Sequence, residues 1–163
     1  MSEIKISSEE ELNALSKTLV QAYLNAVKST GIKRRLFVLS GEMGAGKTTF
    51  VRQFVRALCE AIKVPQPWPL VISPTYQIEN RFTIEAPTHH YAIVHFDLYR
   101  MTAVEELDAL DFSGTVNQSD ILFIEWLDRF PLVEQTLQKE YPQQVVKLKL
   151  RFDEYGNRYI VIS

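Results

Sequence analysis

The sequence has only one cysteine, Cys59, in 163 residues. A single thiol excludes an intramolecular disulfide and a zinc site built from several cysteines, and it suits a reducing compartment. No apolar run approaches the ~20 residues that a membrane-spanning helix needs. The opening residues, MSEIK, lack the basic and then apolar layout of a signal peptide. We therefore expect a cytoplasmic protein without membrane association.

Excess charge of either sign is also missing. Eighteen Lys and Arg stand against 20 Asp and Glu, which leaves a formal net charge of −2. Such a balance excludes a strongly basic nucleic-acid binder, whose affinity for phosphates depends on clustered cations. The hydrophobic fraction of 46% and the charged fraction of 23% are those of a globular domain, so a disordered chain is excluded as well.

The apolar spacing in the first third of the chain predicts a helix, a strand and a second helix. Ser8 followed by Glu11 predicts the capped start of a helix that ends near Gly31. The run LFVL at residues 36–39 reads as a buried strand, and it enters a glycine-bearing loop. From Thr48 onward apolar residues recur at helical spacing. The order is therefore strand, loop, helix.

The remaining segments predict more strands and a short helix. Residues 71–72 indicate a short strand, residues 81–85 and 91–96 a hairpin, and residues 104–110 a short acidic helix. The fully apolar run ILFI at residues 121–124 is typical of a central parallel strand. Alternating residues over 146–152 and the segment 159–162 indicate a closing antiparallel pair.

The loop GEMGAGKT, residues 41–48, matches the pattern G-x-x-x-x-G-K-[ST] at every defined position. Its glycines let successive backbone N–H groups point at phosphate oxygens, and the positive end of the following helix adds to that attraction. Lys47 is expected to bridge the β- and γ-phosphates, and the Thr48 hydroxyl to bind Mg²⁺. The residues expected around the nucleotide are Met43, Gly44, Ala45, Gly46, Lys47, Thr48 and Thr49.

This loop and the element order together predict one P-loop NTPase-like α/β domain spanning residues 1–163. We expect a mixed, mostly parallel central sheet flanked by helices, with an antiparallel C-terminal hairpin. A guanine-specific enzyme is disfavoured, because the guanine-reading motif Asn-Lys-x-Asp is absent from the sequence.

A P-loop needs a second acidic group near Mg²⁺, and two carboxylates follow apolar strands. Glu125 ends the run at residues 121–124, and Asp97 ends the run at residues 93–96. The alternatives are a solvent-facing acid for Glu125 and a capping role for Asp97. Thr75, in the sequence SPTY at residues 73–76, is a candidate for closing on the γ-phosphate, although Ser-Pro-Thr also fits a plain turn.

Other residues near these motifs have simpler interpretations. Trp126, directly after Glu125, is interpreted as packing against the strand end. His95 does not have metal-ligand spacing with His89 and His90, which we place in a polar loop.

Four segments in order, GEMGAGKT, SPTY, HFDLYR (residues 95–100) and IEW (residues 124–126), resemble the TsaE (YjeE) family. Members of this family are bacterial P-loop ATPases of the tRNA threonylcarbamoyladenosine pathway. The likeness covers about residues 8–158, and the pattern His-x-Asp-x-Tyr-Arg is its most discriminating part.

The resemblance implies a role for each matching residue. Lys47 becomes the phosphate-binding lysine, Thr48 and Glu125 the Mg²⁺ ligands, and Thr75 the switch threonine, while Asp97 orients or activates the attacking water. The catalytic set it implies is thus Lys47, Thr75, Asp97 and Glu125. It also implies that Glu9 and the late turn at Gly156 lie beside the nucleotide. The family often has Gly-Arg in that turn, whereas this chain has Asn157 between Gly156 and Arg158.

The resemblance further implies ATP and Mg²⁺ as cofactors and homologues of TsaD and TsaB as partners. In that family the modified base is the adenosine beside the anticodon of tRNAs that read codons beginning with A. Hydrolysis resets the partner complex between cycles, and tRNA is held mainly by the partners. The cluster Lys33, Arg34 and Arg35 is accordingly interpreted as a solvated strand entry.

Two other function classes stay open from the residues alone. One is a small-molecule or nucleotide kinase, which needs an acceptor pocket and an arginine-bearing lid; Arg129 is the only arginine soon after Glu125. The other is a nucleotide-gated binding module in which hydrolysis is incidental.

Overall fold

A computed structural model describes residues 2–65, 78–87 and 89–163, and the strands in these residues form one seven-stranded sheet. In chain order the strands are β1 (Ser2–Ile6), β2 (Arg35–Ser40), β3 (Glu79–Ala86), β4 (His89–Asp97), β5 (Ile121–Glu125), β6 (Val145–Phe152) and β7 (Arg158–Ile162). Across the sheet their order is β1-β7-β6-β2-β5-β4-β3.

The four inner strands are parallel, and the outer pairs are antiparallel. β2 lies between β5 and β6, and β5 pairs in turn with β4. β3 pairs antiparallel with β4 on one side, while β7 pairs antiparallel with both β6 and β1 on the other. The predicted mixed sheet, its central strand at residues 121–124 and its C-terminal hairpin are confirmed.

Five α-helices cover the sheet in the described residues. They are α1 (Glu9–Thr30), α2 (Lys47–Ile62), α3 (Glu105–Ala109), α4 (Phe112–Gln118) and α5 (Pro131–Glu140). The predicted ends of α1 are confirmed: the Ser8 side chain accepts a hydrogen bond from the Glu11 backbone N–H, and Gly31 adopts a left-handed φ of 72°. The Glu11 carboxylate accepts its bond from the Ser7 N–H, one residue before the cap.

Each face of the sheet has its own apolar core. The side chains of Phe37 and Leu39 pack with α1 and α2, whereas those of Leu36 and Val38 pack with α3, α4 and α5. This alternation follows from the period of two along a strand. On the α1 and α2 side, the Phe37 ring centroid lies 4.8 Å from that of Phe54 and 5.2 Å from that of Phe123.

Three elements were not anticipated from the pattern of residues. β1 is short and largely exposed, α4 begins at an Asp111 cap, and α5 begins at Pro131 with one buried residue, Leu137. Such segments carry too few apolar residues to show a period.

The polar loop expected around His89 and His90 is wrong, because β4 already begins at His89. The strand expected at residues 71–72, and Thr75 with its SPTY segment, lie outside the described residues. Among the helices that the structure describes, none is long and apolar enough to cross a membrane.

Candidate nucleotide-binding site

The glycine-rich loop lies at the edge of the sheet where the parallel strands end. It joins the end of β2 to the start of α2. β4 and β5 end at the same edge, where Asp97 and Glu125 are direct register partners. Ligands of open α/β sheets bind outside the carboxyl ends of the strands, so the loop and both acids occupy the expected location.

Glycine is required at two points of the loop for different reasons. Gly41 has a φ of 135°, and a Cβ there would overlap the Leu150 carbonyl oxygen of β6. Gly46 has a φ of 104° directly before α2, where a Cβ would lie 3.6 Å from the Arg158 guanidinium. Gly41 is therefore required by its close approach to β6, and Gly46 by its left-handed backbone conformation.

Lys47 is held inside the loop by backbone carbonyls and an indole. Its Nζ donates to the Gly41 carbonyl at 2.8 Å and to the Glu42 carbonyl at 3.0 Å. The same Nζ lies 4.0 Å from the centre of the Trp126 ring. Burial lowers the pKa of Lys47, and the negative charges of Glu125, Asp97 and Asp128 oppose that shift. A phosphate group in the loop would add further negative charge beside this cation.

Thr48, Glu125 and His95 form one hydrogen-bonded chain. The Thr48 hydroxyl donates to Glu125 Oε1 at 2.9 Å, and His95 Nε2 lies 2.8 Å from the same oxygen. Glu125 is 3% exposed and His95 is fully buried. In the part of the chain that the structure describes, no three His, Cys, Asp or Glu residues form a metal cage. The hydroxyl and the carboxylate are instead the sparse oxygen set that suits Mg²⁺, which binds largely through phosphates and water.

Asp97 lies beside this chain in a pocket of about 270 Å³. Its Oδ1 accepts a hydrogen bond from the Tyr99 backbone N–H at 3.0 Å, and the side chain is 4% exposed. The residues that line the pocket are Met43, Gly44, Gly46, Lys47, Thr48, Thr49, Asp97, Tyr99, Glu125 and Trp126.

A second pocket of about 560 Å³ lies on the other side of Thr49, which lines both. Glu9, Gly156 and Arg158 are among its lining residues. The Glu9 carboxylate accepts a hydrogen bond from the Gln53 side chain of α2. The first turn of α1 and the turn between β6 and β7 therefore meet beside the glycine-rich loop.

The structure brings most of the expected site residues together. Lys47, Thr48, Asp97 and Glu125 line one pocket with Met43, Gly44, Gly46 and Thr49, while Glu9 and Gly156 line the adjoining one. Ala45, itself a loop residue, is fully buried and does not line either pocket. Thr75 lies outside the described residues.

Sequence reasoning missed three side chains of the site. Trp126 does not merely pack against the strand end: it has a left-handed φ of 64°, and its ring covers Lys47. Tyr99 lines the pocket, with its ring centroid 5.1 Å from that of Trp126. His95 contacts Glu125. His95 and Tyr99 belong to the pattern His-x-Asp-x-Tyr-Arg and Trp126 to the segment IEW, so the motifs contained a signal for these residues, but not for the contacts that they make.

Comparison with known proteins identifies a family over nearly the whole chain. The family model described as "Threonylcarbamoyl adenosine biosynthesis protein TsaE" matches residues 6–160. Its P-loop NTPase fold agrees with the sheet order and with the glycine-rich loop described above.

Curated relatives carry the same description. A protein of Rickettsia felis named "tRNA threonylcarbamoyladenosine biosynthesis protein TsaE" is 30% identical over 139 residues, which cover 82% of this chain and 70% of the relative. A protein of the same name from Aquifex aeolicus is 33% identical over 129 residues, or 79% of each chain. One from Haemophilus influenzae is 32% identical over 97 residues, covering 60% of this chain and 54% of the relative.

Proposed function

The chain belongs to the TsaE family, and we propose that it is the ATP-binding and ATP-hydrolysing component of the machinery that makes threonylcarbamoyladenosine in tRNA. The family and its relatives carry the biosynthetic role in their names. ATP turnover and the partners are our proposals.

The observation that carries the proposal is the convergence on one pocket of three groups with complementary chemistry. The Lys47 ammonium, the Thr48 hydroxyl and the Glu125 carboxylate all line it. Backbone N–H groups of the loop and the start of α2 provide a cradle for the phosphates. The adjoining pocket between Glu9 and Gly156 is wide enough to take the base and ribose of the same nucleotide.

Mg²⁺ fits the oxygen donors present at this edge of the sheet. Thr48 Oγ1 and the Glu125 carboxylate would hold it, directly or through water. When bound, the ion neutralises charge on the β- and γ-phosphates and so favours departure of ADP.

The chain's own residues orient the reaction. In hydrolysis a water oxygen bonds to the γ-phosphorus, the bond from that phosphorus to the bridging oxygen breaks, and ADP and phosphate result. We propose that Asp97, buried at the pocket wall, orients this water and accepts its proton. Lys47 stabilises the negative charge on the phosphates, and Thr75 closes on the γ-phosphate.

Homologues of TsaD and TsaB are the proposed partners, with hydrolysis resetting their complex between cycles. Direct tRNA binding is not required of this chain. Arg34 and Arg35 each donate to a backbone carbonyl, those of Asn117 and Gln143, which supports their interpretation as the solvated entry to β2. Lys33 Nζ lies 3.0 Å from His89 Nδ1.

The decisive experiment measures nucleotide binding and phosphate release by the purified chain, alone and with the TsaD–TsaB pair. We expect slow hydrolysis that the pair accelerates, and loss of binding and turnover in Lys47→Ala. Lys28→Ala is the matched control, because Lys28 is exposed in the last turn of α1 and lies away from both pockets. Unchanged binding in Lys47→Ala would contradict the proposal.

The same preparation separates the two other function classes. Transfer of the γ-phosphate to a nucleoside or nucleotide would indicate a kinase. The structure does not favour this, because Arg129, the candidate lid arginine, donates to the Tyr99 backbone carbonyl. Support of tRNA modification by an Asp97→Asn variant that binds ATP but does not hydrolyse it would indicate a nucleotide-gated binding module.

A further inference from the structure

His95 is a fully buried imidazole whose hydrogen-bonding partner in the described residues is Glu125. It lies two residues before Asp97 on β4, so both side chains are on the same face of the sheet. Glu125 is the register partner of Asp97 on β5 and shares this face. The strand pairing therefore places the imidazole next to the carboxylate of Glu125, the expected Mg²⁺ ligand.

On this face His95 has Phe123 as its register partner on β5 and Asn80 as its register partner on β3. Its ring centroid lies 6.3 Å from that of Phe123, which belongs to the core under α1 and α2. Nδ1 has no hydrogen-bond partner among the described residues. Burying an imidazole in such a place costs free energy that an apolar side chain would avoid. The contact with Glu125 is the hydrogen bond that offsets part of this cost.

This contact determines which oxygen of Glu125 is engaged. Thr48 and His95 both bind Oε1, at 2.9 Å and 2.8 Å, and Oε2 has no hydrogen bond to the residues that the structure describes. A carboxylate held by two donors on one oxygen cannot turn freely about its last bond. Oε2 is thereby left for the metal ion or its water.

Resting on the proposed function, we propose that His95 is a positioning residue: it donates Nε2–H to Glu125 Oε1 and so holds Glu125 in the orientation that binds Mg²⁺. Ligand-orienting partners of this kind typically contribute about 10–100-fold to metal affinity. His95 itself touches neither the nucleotide nor the ion.

The test titrates Mg²⁺ into the full chain with a fluorescent ADP analogue, mant-ADP, after binding without metal has been measured in EDTA. His95→Gln places an amide N–H near the position of Nε2, whereas the amide of His95→Asn reaches only as far as Nδ1. His95→Leu removes the donor. We expect His95→Asn and His95→Leu to raise the half-saturating Mg²⁺ concentration about 10-fold or more, and His95→Gln to stay close to the wild type. Binding in EDTA should be unchanged throughout.

Several results would overturn the inference. One is a half-saturating Mg²⁺ concentration in His95→Asn and His95→Leu equal to that of the wild type. Another is a His95→Gln variant that needs as much Mg²⁺ as His95→Leu. If Leu does not fold, the comparison of Asn with Gln decides, since both keep a polar amide. In a Glu125→Ala background, His95→Asn should add no further loss, because the group it positions is gone. A full additional loss there would show that His95 acts on something else.

Failure of the proposed function gives a different result. If the wild type binds mant-ADP without any effect of Mg²⁺ or of Lys47→Ala, the nucleotide site itself is wrong and the inference falls with it. If the wild type shows both effects while the His95 variants titrate like it, only the inference is overturned.

Discussion

Single atoms decide the chemistry at Glu125. Its Oε1 accepts from Thr48, the last residue of the loop motif, and contacts His95 from the neighbouring strand. The hydroxyl oxygen of Thr48 keeps lone pairs for a metal ion while its proton is donated to the carboxylate. The two expected Mg²⁺ ligands are therefore linked to each other before any ion binds.

Replacing Thr48 by valine should weaken Mg²⁺-dependent nucleotide binding, because valine has the shape of threonine without its hydroxyl. We expect the half-saturating Mg²⁺ concentration to rise at least about 10-fold, because loss of a ligand should cost no less than the loss of a residue that only orients one. Thr48→Ser is the matched control, since it keeps the hydroxyl, and should titrate like the wild type. Equal Mg²⁺ requirements in the valine and serine variants would show that the hydroxyl is not a ligand. The measurement is the mant-ADP titration.

At the scale of elements, the conformation of the glycine-rich loop depends on how closely the loop approaches β6. β2 ends at Ser40, and Gly41 lies against the Leu150 carbonyl of β6. Trp126, just after β5, donates its backbone N–H to Leu39 at 3.1 Å. The loop is thus flanked by two neighbouring strand ends, and its shape is part of the sheet.

Gly41→Ala should destabilise the fold strongly, because the new Cβ would meet the backbone of β6 as well as requiring a left-handed φ. We expect a loss of about 3 kcal/mol or more in the free energy of unfolding. Gly31→Ala is the control: its φ is also positive, at 72°, but nothing lies within 4 Å of a Cβ there.

The control should lose only about 1–2 kcal/mol, from backbone strain alone. Urea unfolding followed by circular dichroism measures both values. Equal losses at Gly31 and Gly41 would mean that the contact between the loop and β6 contributes nothing.

At the scale of the whole molecule, two weakly acidic side chains are buried on the face of the sheet that α1 and α2 cover. Cys59 of α2 is fully buried, and burial raises its pKa to about 11. Tyr23 of α1 is 2% exposed, and burial raises its pKa above the ordinary range of a phenol. Both groups are neutral in the native state at a pH where the unfolded chain would ionise them.

This difference predicts a fall in stability at high pH. Between the ordinary thiol pKa of 9.0 and about 11, the unfolded state releases the Cys59 proton while the native state keeps it. The free energy of unfolding must therefore decrease as pH rises through this window. Urea unfolding at several pH values from 8 to 11 measures the slope.

Cys59→Ala should show a shallower slope than the wild type, because it removes one of the two acids. Tyr23→Phe should do the same for the phenol. Slopes identical to that of the wild type in both variants would contradict the burial of these groups in the native state.

The fold and the core of the site could be predicted because their signals are local. The loop at residues 41–48 has its conformation specified by its own glycines, and the apolar runs before Lys47 and Glu125 report strands that are buried on both faces. The capped start of α1 at Ser8 is equally local. A short-range pattern therefore determines a phosphate-binding loop between a strand and a helix, and an acid at the end of a second strand.

Only the tertiary structure decided which distant residues complete the site. The register of β4 against β5 places His95 against Glu125, the turn after β5 lays Trp126 over Lys47, and β7 brings Arg158 near Gly46. None of these contacts has a signal in sequence spacing, because strand order and register are determined by the packing of both apolar cores. The sequence by itself determined the type of site, and the sheet determined how its side chains are arranged.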